Sequence, residues 1–327
     1  MVLNMISKNL IPIQIIGVGK VGCALLHLLD QKTYKVTSVS DSKYTLSNTF
    51  GLNIGEILQL KENEKKNLRS YSKISECFDL LANDIQSSTV IDTSNTNLLN
   101  SHENFIKYEK LLKENHNLIL AARDGLFYGI DILLTEYPRK IGINAALNGI
   151  GHYLQEQLDF LRSYCVSFHS SCHPVSTFLI ESIEQGLSLQ DAIDKAHELN
   201  IFEHHLQDEL KGKNAFISTH LIASAIFGNR QELNTTLDHL ENIDPELLRY
   251  RKMKGKTTRL IGNAYSDGTI KLAFKEIDPN SPLYTTRHNV CYQFNLKNNQ
   301  TQFARGRGVG IKETAQALLD DLQRLNV

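Results

Sequence analysis

The stretch that decides the fold is Ile11-Pro-Ile-Gln-Ile-Ile16, followed directly by Gly17-Val-Gly-Lys-Val-Gly22. The apolar run predicts a buried strand, and the Gly-x-Gly-x-x-Gly spacing is typical of a tight turn from a strand into a nucleotide-binding helix. Such a turn directs backbone N–H groups and the positive end of the helix towards a phosphate. We therefore predict a dinucleotide cradle formed by Gly17, Val18, Gly19, Lys20, Val21 and Gly22.

The next predicted strand, at residues 34–39, leads to a possible ribose site. Asp41 follows it and stands 19 residues beyond Gly22. Its carboxylate is suited to accept hydrogen bonds from a ribose, which favours NAD, whereas Ser42 and Lys43 are suited to hold the 2′-phosphate of NADP. The sequence leaves NAD and NADP open.

The first part of the chain has the pattern of a doubly wound α/β domain. Strands are predicted at residues 13–17, 34–39, 89–92 and 117–122. They alternate with helical patterns, so we predict an N-terminal Rossmann dinucleotide-binding domain over residues 1–140. The polar stretch 61–67 is predicted to be a solvated face or loop without a functional role.

After residue 141 the pattern changes. Helices are predicted at 155–164, 176–183, 188–199 and 215–226, and strands at 259–261, 269–274 and 289–295. We interpret residues 141–305 as an α+β substrate and dimerisation domain. Gly306-Arg-Gly-Val-Gly310 predicts another tight loop before a helix at 312–325, so residues 306–327 are expected to return to the Rossmann domain and complete it. The predicted fold class is α/β.

Composition narrows the class of partner. The 327 residues are 41% hydrophobic and 22% charged, with a formal net charge of -1. Without long basic runs, this balance argues against nucleic acid or an anionic membrane, and it favours a small-molecule substrate. The five scattered cysteines contain no Cys-x-x-Cys pair and indicate reduced thiols in a cytoplasmic protein. We find no apolar stretch long enough to span a membrane.

Several motifs occur in one order along the chain: Ile16-Gly-Val-Gly-Lys-Val-Gly-Cys-Ala-Leu-Leu26, Phe50-Gly-Leu-Asn53, Val90-Ile-Asp-Thr-Ser94, Gly186-Leu-Ser-Leu-Gln-Asp-Ala192, Asp278-Pro-Asn-Ser-Pro-Leu-Tyr284 and Leu318-Leu-Asp-Asp-Leu322. With this series the chain resembles the homoserine dehydrogenases over nearly its whole length, in particular the dehydrogenase portion of fused aspartokinase–homoserine dehydrogenases. The resemblance implies hydride transfer between NAD or NADP and the pair L-homoserine and L-aspartate 4-semialdehyde. It also implies a homodimer whose second domain supplies the intersubunit sheet.

The same resemblance assigns further cofactor residues. Thr93 and Ser94 are expected on the nicotinamide ribose side, and Gly308 and Gly310 are expected to close over the cofactor. Glu203 aligns with the family's substrate glutamate and is expected to accept from an amino group.

At the catalytic positions the chain departs from the family. The family pattern Asp-x-x-Gly-x-Asp-x-x-x-Lys falls on residues 209–218, so Asn214 stands at the substrate-binding aspartate position and Ser218 at the proton-donating lysine position. Arg123 ends a run that closes with lysine in the family. Its guanidinium can hold negative charge, but it keeps its proton and is a poor proton donor near neutrality.

Histidines are the candidate replacements for the missing acid. His173 and His205 could act as acid or base, because imidazole titrates near neutral pH. The local group Cys165, His169, Cys172 and His173 contains ligand types suited to zinc. Its spacing matches no known zinc motif, and we predict no metal site.

Three functions follow from these observations. The first is an NAD(P)-dependent oxidoreductase of homoserine dehydrogenase type that acts on aspartate semialdehyde or a related small aldehyde. The second is a diverged oxidoreductase that acts on another carbonyl or imine substrate. The third is a non-catalytic nucleotide-binding regulator or scaffold. The cofactor motifs favour the first two, whereas Asn214 and Ser218 favour the last two.

Overall fold

The computed structural model describes residues 10–71, 76–78, 87–199, 201, 206–228, 235–307 and 310–326. The chain divides into two compact units. The first comprises Met1–Gly125, Tyr137–Ala146 and Ile311–Val327, and the second comprises Leu126–Glu136 and Leu147–Gly310. The chain thus passes between the units after residues 125, 136, 146 and 310, and the domain boundaries expected at 140 and 305 stay a prediction.

In the described residues the strands are β1 (Ile11–Ile16), β2 (Tyr34–Ser40), β3 (Thr45–Ser47), β4 (Glu76–Phe78), β5 (Thr89–Asp92), β6 (Asn117–Leu120), β7 (Ile141–Gly142), β8 (Cys165–Ser171), β9 (Thr235–Leu237), β10 (Thr257–Tyr265), β11 (Ile270–Ile277), β12 (Val290–Leu296) and β13 (Thr301–Gly306). The α-helices are α1 (Lys20–Leu28), α2 (Ile54–Leu58), α3 (Ser101–Lys113), α4 (Asp124–Glu136), α5 (Gly151–Tyr164), α6 (Pro174–Glu184), α7 (Leu189–Glu198), α8 (Leu206–Leu210), α9 (Lys213–Phe227), α10 (Pro245–Met253) and α11 (Ile311–Leu325). Within these ranges no helix is long and apolar enough to cross a membrane.

The first unit is built on one sheet, whose described strands lie in the order β4-β3-β2-β1-β5-β6-β7. Strands β2, β1, β5, β6 and β7 are parallel, and β3 and β4 add an antiparallel edge. The chain continues from β1 to β2 on one side, and β5 pairs with β1 on the other. The strand order therefore reverses beside β1, and doubly wound sheets bind ligands at the carboxyl ends of the strands at such a point. The predicted Rossmann topology is confirmed.

The C-terminal helix α11 completes the first unit, as predicted. Leu318 and Leu322 are buried in the same apolar core as Ile15 of β1 and Leu25 of α1. Asp321 is also fully buried on α11, and its carboxylate accepts a hydrogen bond of 2.8 Å from the backbone N–H of residue 144. Apolar burial and this hydrogen bond both hold α11 in the first unit.

The second unit contains a sheet of described strands in the order β13-β12-β8-β10-β11-β9. All neighbours are antiparallel except β11 and β9. Helices α5, α6 and α9 pack on this sheet. Phe168 of β8 stacks on Phe227 of α9 with ring centroids 6.4 Å apart. Gly262 of β10 faces Thr219 of α9, where a Cβ atom would collide with the threonine side chain. The α+β character predicted for this region is confirmed.

The sequence pattern does not predict β8, although it lies near the middle of the second sheet. Its residues Cys-Val-Ser-Phe-His-Ser-Ser lack the strict apolar alternation of a half-buried strand. The polar side chains instead find partners on neighbouring strands. His169 pairs with Asn263 at 2.8 Å, and Asn295 donates to Ser167 at 3.0 Å. Such partners exist only once the sheet has formed.

One buried histidine in α9 gives the second unit a pH dependence. His220 is 2% exposed and packs against the rings of Phe127 and Phe216. Its Nε2 atom lies 3.2 Å from Ser224 Oγ, and its Nδ1 atom has no hydrogen-bond partner in the described residues. Burial lowers the pKa of His220 from 6.5 to about 4.

We predict that His220→Phe makes the protein less sensitive to acid. As the pH falls below 6.5, the unfolded chain protonates this histidine first, so folding stability decreases until the pH reaches about 4. The protonation of His220 alone lowers the free energy of unfolding by up to about 3 kcal/mol. Thermal unfolding at pH 7 and pH 4.5 should show a smaller shift in Tm for the variant than for wild type. The exposed His102→Gln control should behave as wild type, and equal shifts in all three proteins would contradict the prediction.

Candidate active site

The glycine turn after β1 lies in the first unit, at the position predicted for the dinucleotide cradle. Gly17 has φ +91°, a conformation that favours glycine. The N–H groups of Gly17 and Val18 both donate to Ser40 O at 2.9 Å, which joins the turn to the end of β2. Gly19 is the N-cap of α1, has no side-chain cap, and would have open space around a Cβ atom. The first N–H groups of α1 have no partners within the helix, so this end is suited to bind an anion.

Two glycines bring the turn against the residues that follow β5. A Cβ atom on Gly17 would lie 2.7 Å from Ser94 N, and one on Gly22 would collide with Gly17 O. The Thr93 hydroxyl donates to Gly17 O, and Thr93 N donates to Ile16 O at 2.8 Å. The structure thus brings together the predicted phosphate turn and the predicted nicotinamide-ribose residues.

Asp41 follows β2 but already has protein partners. Its Oδ1 accepts from the N–H groups of Lys43 and Tyr44, both at 2.9 Å. Its Oδ2 accepts from Leu68 N at 2.9 Å and from Lys61 Nζ at 3.2 Å. Although burial acts to raise it, these hydrogen bonds hold the pKa of Asp41 below its usual value. A ribose hydroxyl would have to compete with four donors, so ribose binding by Asp41 stays a prediction.

The polar stretch 61–67, which the sequence predicts to be only a solvated face or loop, therefore supplies a side chain that contacts Asp41. Lys61 extends from it to the carboxylate of Asp41, and its side chain is largely buried. The neighbouring Leu68 is fully buried and donates its N–H to the same carboxylate. Ser42 and Lys43 are exposed beside this network. An apolar residue directly after a charged stretch is the signal that could have revealed this contact.

Arg123 lies after β6 in the first unit. Its backbone N–H donates to Thr96 Oγ1 at 3.1 Å, which ties it to the segment after β5. The side chain is partly buried. Its predicted role in holding negative charge stays a prediction.

In the second unit, α9 carries both substituted catalytic positions. Gly212, with φ +71°, is the N-cap of this helix, and Asn214 and Ser218 lie one turn apart on the same face. Ser218 is 2% exposed, and Asn148 Nδ2 lies 3.4 Å from its hydroxyl. This position therefore lies in the packed part of the unit.

A buried hydrogen-bonded chain joins Asn214 to His173. Asn214 Nδ2 donates to Glu209 Oε1 at 2.6 Å, and Glu209 Oε2 lies 2.7 Å from His173 Nε2. His173 Nδ1 accepts from Ser176 N at 3.3 Å, because His173 is the N-cap of α6. Nε2 must then carry the proton and donate to Glu209. Both ring nitrogens are thus engaged, so His173 could act as acid or base only by losing one of these bonds.

Glu209 is a residue that sequence reasoning missed. It is 4% exposed, and His173 is 5% exposed. The sequence places Glu209 in the stretch Asp208-Glu-Leu-Lys211, three of whose four residues are charged, which is the pattern of a solvated surface. The glycine at 212, just before the apolar helix α9, was the available signal that this run turns inwards.

The local Cys and His group is spread along β8 and the start of α6. His169 pairs with Asn263, and His173 with Glu209. Burial raises the pKa of the Cys165 thiol to about 11. No group of three potential metal ligands is found among the residues that the structure describes.

Three predicted site residues, Glu203, His205 and Gly308, lie outside the described residues. Gly310 is described and has φ +124°, a value that requires glycine. The loop before it also contains a close contact, because a Cβ atom on Gly149 would lie 3.1 Å from Arg307 N.

Comparison with known proteins agrees with the motif series. The sequence model of the family "Homoserine dehydrogenase" matches residues 168–323, and that of "Glutamate/Leucine/Phenylalanine/Valine dehydrogenase" matches residues 3–109. The homoserine dehydrogenase of Methanocaldococcus jannaschii is 23% identical over 94% of this chain and 96% of its own length. The homoserine dehydrogenase of Pyrococcus horikoshii is 22% identical over 95% of this chain and 96% of its own length. The chain is thus similar to homoserine dehydrogenases over nearly its whole length, and the model of that family matches its second half.

Solved structures share the whole fold. A hyperthermophilic archaeal homoserine dehydrogenase in complex with NADPH superimposes with a TM-score of 0.78 at 18% identity, over 97% of both chains. The homoserine dehydrogenase from Thermoplasma acidophilum gives 0.75 at 21% identity, over 97% of this chain and 99% of its own. The chain is thus a homoserine dehydrogenase-like oxidoreductase with a Rossmann domain and a second α+β domain.

We predict that Gly22→Ala destabilises the protein, although alanine is the better helix former by about 1 kcal/mol. The new methyl group would collide with Gly17 O, and forcing such an overlap costs about 1–3 kcal/mol, so the clash outweighs the helix preference. Gly19→Ser is the matched control, because its position is open and serine caps helices well. Chemical denaturation should show a lower midpoint for Gly22→Ala only. Equal midpoints for the two variants would contradict the predicted collision between a methyl group at position 22 and Gly17 O.

Proposed function

We propose that the chain is an NADP(H)-dependent oxidoreductase of homoserine dehydrogenase type whose first unit binds the cofactor. The observation that carries the proposal is the open N-terminus of α1 at Gly19, held against Thr93 and Ser94 by Gly17 and Gly22. This arrangement fits a dinucleotide, because its N–H groups face outwards where a pyrophosphate could lie. The NADPH complex of a protein with the same fold adds support. A bound nicotinamide would supply or accept the hydride.

The surroundings of Asp41 support NADP over NAD. A free carboxylate at this position would repel a 2′-phosphate and bind a 2′-hydroxyl. Here the carboxylate is neutralised by Lys61 and by three backbone N–H groups, and the exposed Lys43 lies beside it. The balance of charge at the end of β2 therefore suits a phosphate.

We further propose that the substrate is a small aldehyde related to aspartate semialdehyde, which binds in the second unit beside α9. In the described residues of α9, Asn214 and Ser218 provide an amide and a hydroxyl where the family pattern has a carboxylate and an ammonium group. Neither group can transfer a proton as readily as a lysine tuned for that task. Turnover of aspartate semialdehyde should therefore be slow. The family resemblance also supports a homodimer.

Charge reversal at the phosphate turn tests the cofactor site. Gly19→Asp should fold as well as wild type, because aspartate is a favourable N-cap and the position is open. Its carboxylate would nevertheless repel the pyrophosphate, so NADPH affinity should fall by at least about 100-fold. The neutral Gly19→Asn variant is the matched control, and its NADPH affinity should fall far less.

The measurement is a fluorescence titration of each protein with NADPH and NADH. Tighter binding of NADPH to wild type, lost only in Gly19→Asp, is the expected result. Unchanged NADPH affinity in Gly19→Asp would remove the proposed site. If wild type bound neither nucleotide, the regulator or scaffold function would replace the enzymatic one.

Restoring the family residues tests the substrate assignment. Asn214→Asp alone would place a second carboxylate beside Glu209, 2.6 Å from Asn214 Nδ2, and the like charges should destabilise the unit. Asn214→Asp combined with Ser218→Lys adds a compensating ammonium group. We predict that the double variant reduces aspartate semialdehyde with NADPH faster than wild type.

Steady-state kinetics of wild type and of the double variant, with aspartate semialdehyde and NADPH, test this prediction. A wild-type kcat of about 1–1000 s⁻¹, the usual range for enzymes, would show that Asn214 and Ser218 suffice for aspartate semialdehyde. A double variant that binds NADPH but gains no activity would favour another carbonyl or imine substrate.

A further inference from the structure

The segment 93–97 follows β5 and carries Thr93 and Ser94, which are proposed to face the nicotinamide ribose. Thr93 also hydrogen-bonds to the phosphate turn at Gly17. The position of this segment therefore affects both halves of the proposed cofactor site. What holds it in place is visible within the first unit.

Two buried carboxylates hold the segment at its two ends. Asp92 Oδ1 accepts from Ser94 N at 2.8 Å. Asp124 Oδ2 accepts from Asn97 N at 3.3 Å. Asp92 and Asp124 are both buried, and neither belongs to the predicted cofactor or catalytic set.

Helix α3 holds both carboxylates from one face. The Tyr108 hydroxyl donates to Asp92 Oδ2 at 2.7 Å, and Asn104 Nδ2 donates to Asp124 Oδ2 at 2.9 Å. Residues 104 and 108 are four apart and so lie on the same side of the helix. Gly125, at the start of α4, packs so closely on the Tyr108 ring that a Cβ atom would collide with it. The tyrosine therefore has little room to move.

The charge of Asp124 also affects Asp92. Burial raises the pKa of Asp92, the charge of Asp124 adds to this effect, and the hydrogen bonds from Ser94 and Tyr108 oppose it. A buried acceptor that loses its donor pays its full desolvation cost. Removing the Tyr108 hydroxyl should therefore disturb Asp92 and, through it, Ser94.

We propose that Tyr108 and Asn104 are positioning residues. Through Asp92 and Asp124 they fix the segment 93–97, so that Thr93 and Ser94 can hold the nicotinamide half of the cofactor. The inference rests on the proposed function of the first unit. Hydrogen bonds around the segment 93–97 would thus keep its binding residues in the geometry that the cofactor requires.

The test compares Tyr108→Phe and Asn104→Ala with wild type, using two probes. NADPH reports on the whole site, whereas 2′,5′-ADP carries only the adenosine half. We expect each variant to bind 2′,5′-ADP as wild type does and to bind NADPH about tenfold more weakly, which corresponds to about 1.4 kcal/mol. The nicotinamide fluorescence of bound NADPH should also be less enhanced.

The matched control is Tyr34→Phe, which removes the hydroxyl of another buried tyrosine at the start of β2, at the amino end of the parallel strands. It should bind both probes as wild type does. Asp92→Asn keeps an oxygen that can accept from Ser94 N, so it should bind NADPH better than Asp92→Ala.

The outcomes separate this inference from the proposed function. Wild type that binds neither probe overturns both. Wild type that binds NADPH, with Tyr108→Phe and Asn104→Ala unchanged, overturns the inference alone. Equal weakening of both probes in these variants would mean a general loss of structure and would also overturn it.

Discussion

The first unit depends on how closely the turn after β1 approaches the residues that follow β5. At Gly17 a Cβ atom would lie 2.7 Å from Ser94 N, and at Gly22 it would meet Gly17 O. Only glycine permits this approach, which places the start of α1 and the segment 93–97 side by side. The same segment is held from its other side by Asp92 and Asp124. The carboxyl edge of the sheet is therefore one hydrogen-bonded network, and a shift in any part of it would reach the proposed cofactor site.

Two carboxylates bind groups of the protein itself, although the sequence indicates a ligand-binding role for Asp41 and a solvated surface position for Glu209. Asp41 accepts four hydrogen bonds from within the first unit, and Glu209 is buried between His173 and Asn214 in the second. The second case involves one departure from the family pattern, Asn214. An aspartate at 214 would repel the carboxylate of Glu209, whereas the amide donates a hydrogen bond to it. Asn214 and His173 are thus best understood together, as donors to one buried carboxylate.

Some elements could be predicted because their signal is local. The apolar run before Gly17 and the helical periodicity of α9 and α11 do not depend on distant residues, and each is observed close to its predicted range. Strand β8 could not be predicted in this way. Its polar side chains are satisfied by Asn263 and Asn295, which are distant in sequence. The role of Lys61 was hidden for the same reason, since its partner Asp41 is 20 residues away.

The sequence by itself determined the resemblance to homoserine dehydrogenases, the Rossmann topology and the glycine turn after β1, because glycine spacing and apolar periodicity express backbone requirements that act over a few residues. It also showed that the family's aspartate and lysine positions hold Asn214 and Ser218. Only the tertiary structure decided what the charged residues contact. Whether a carboxylate is free for a ligand depends on the donors around it, and for Asp41, Asp92 and Glu209 some of those donors come from other parts of the chain. Long-range hydrogen bonds of this kind leave no local pattern, so the availability of a site residue can be judged only after folding.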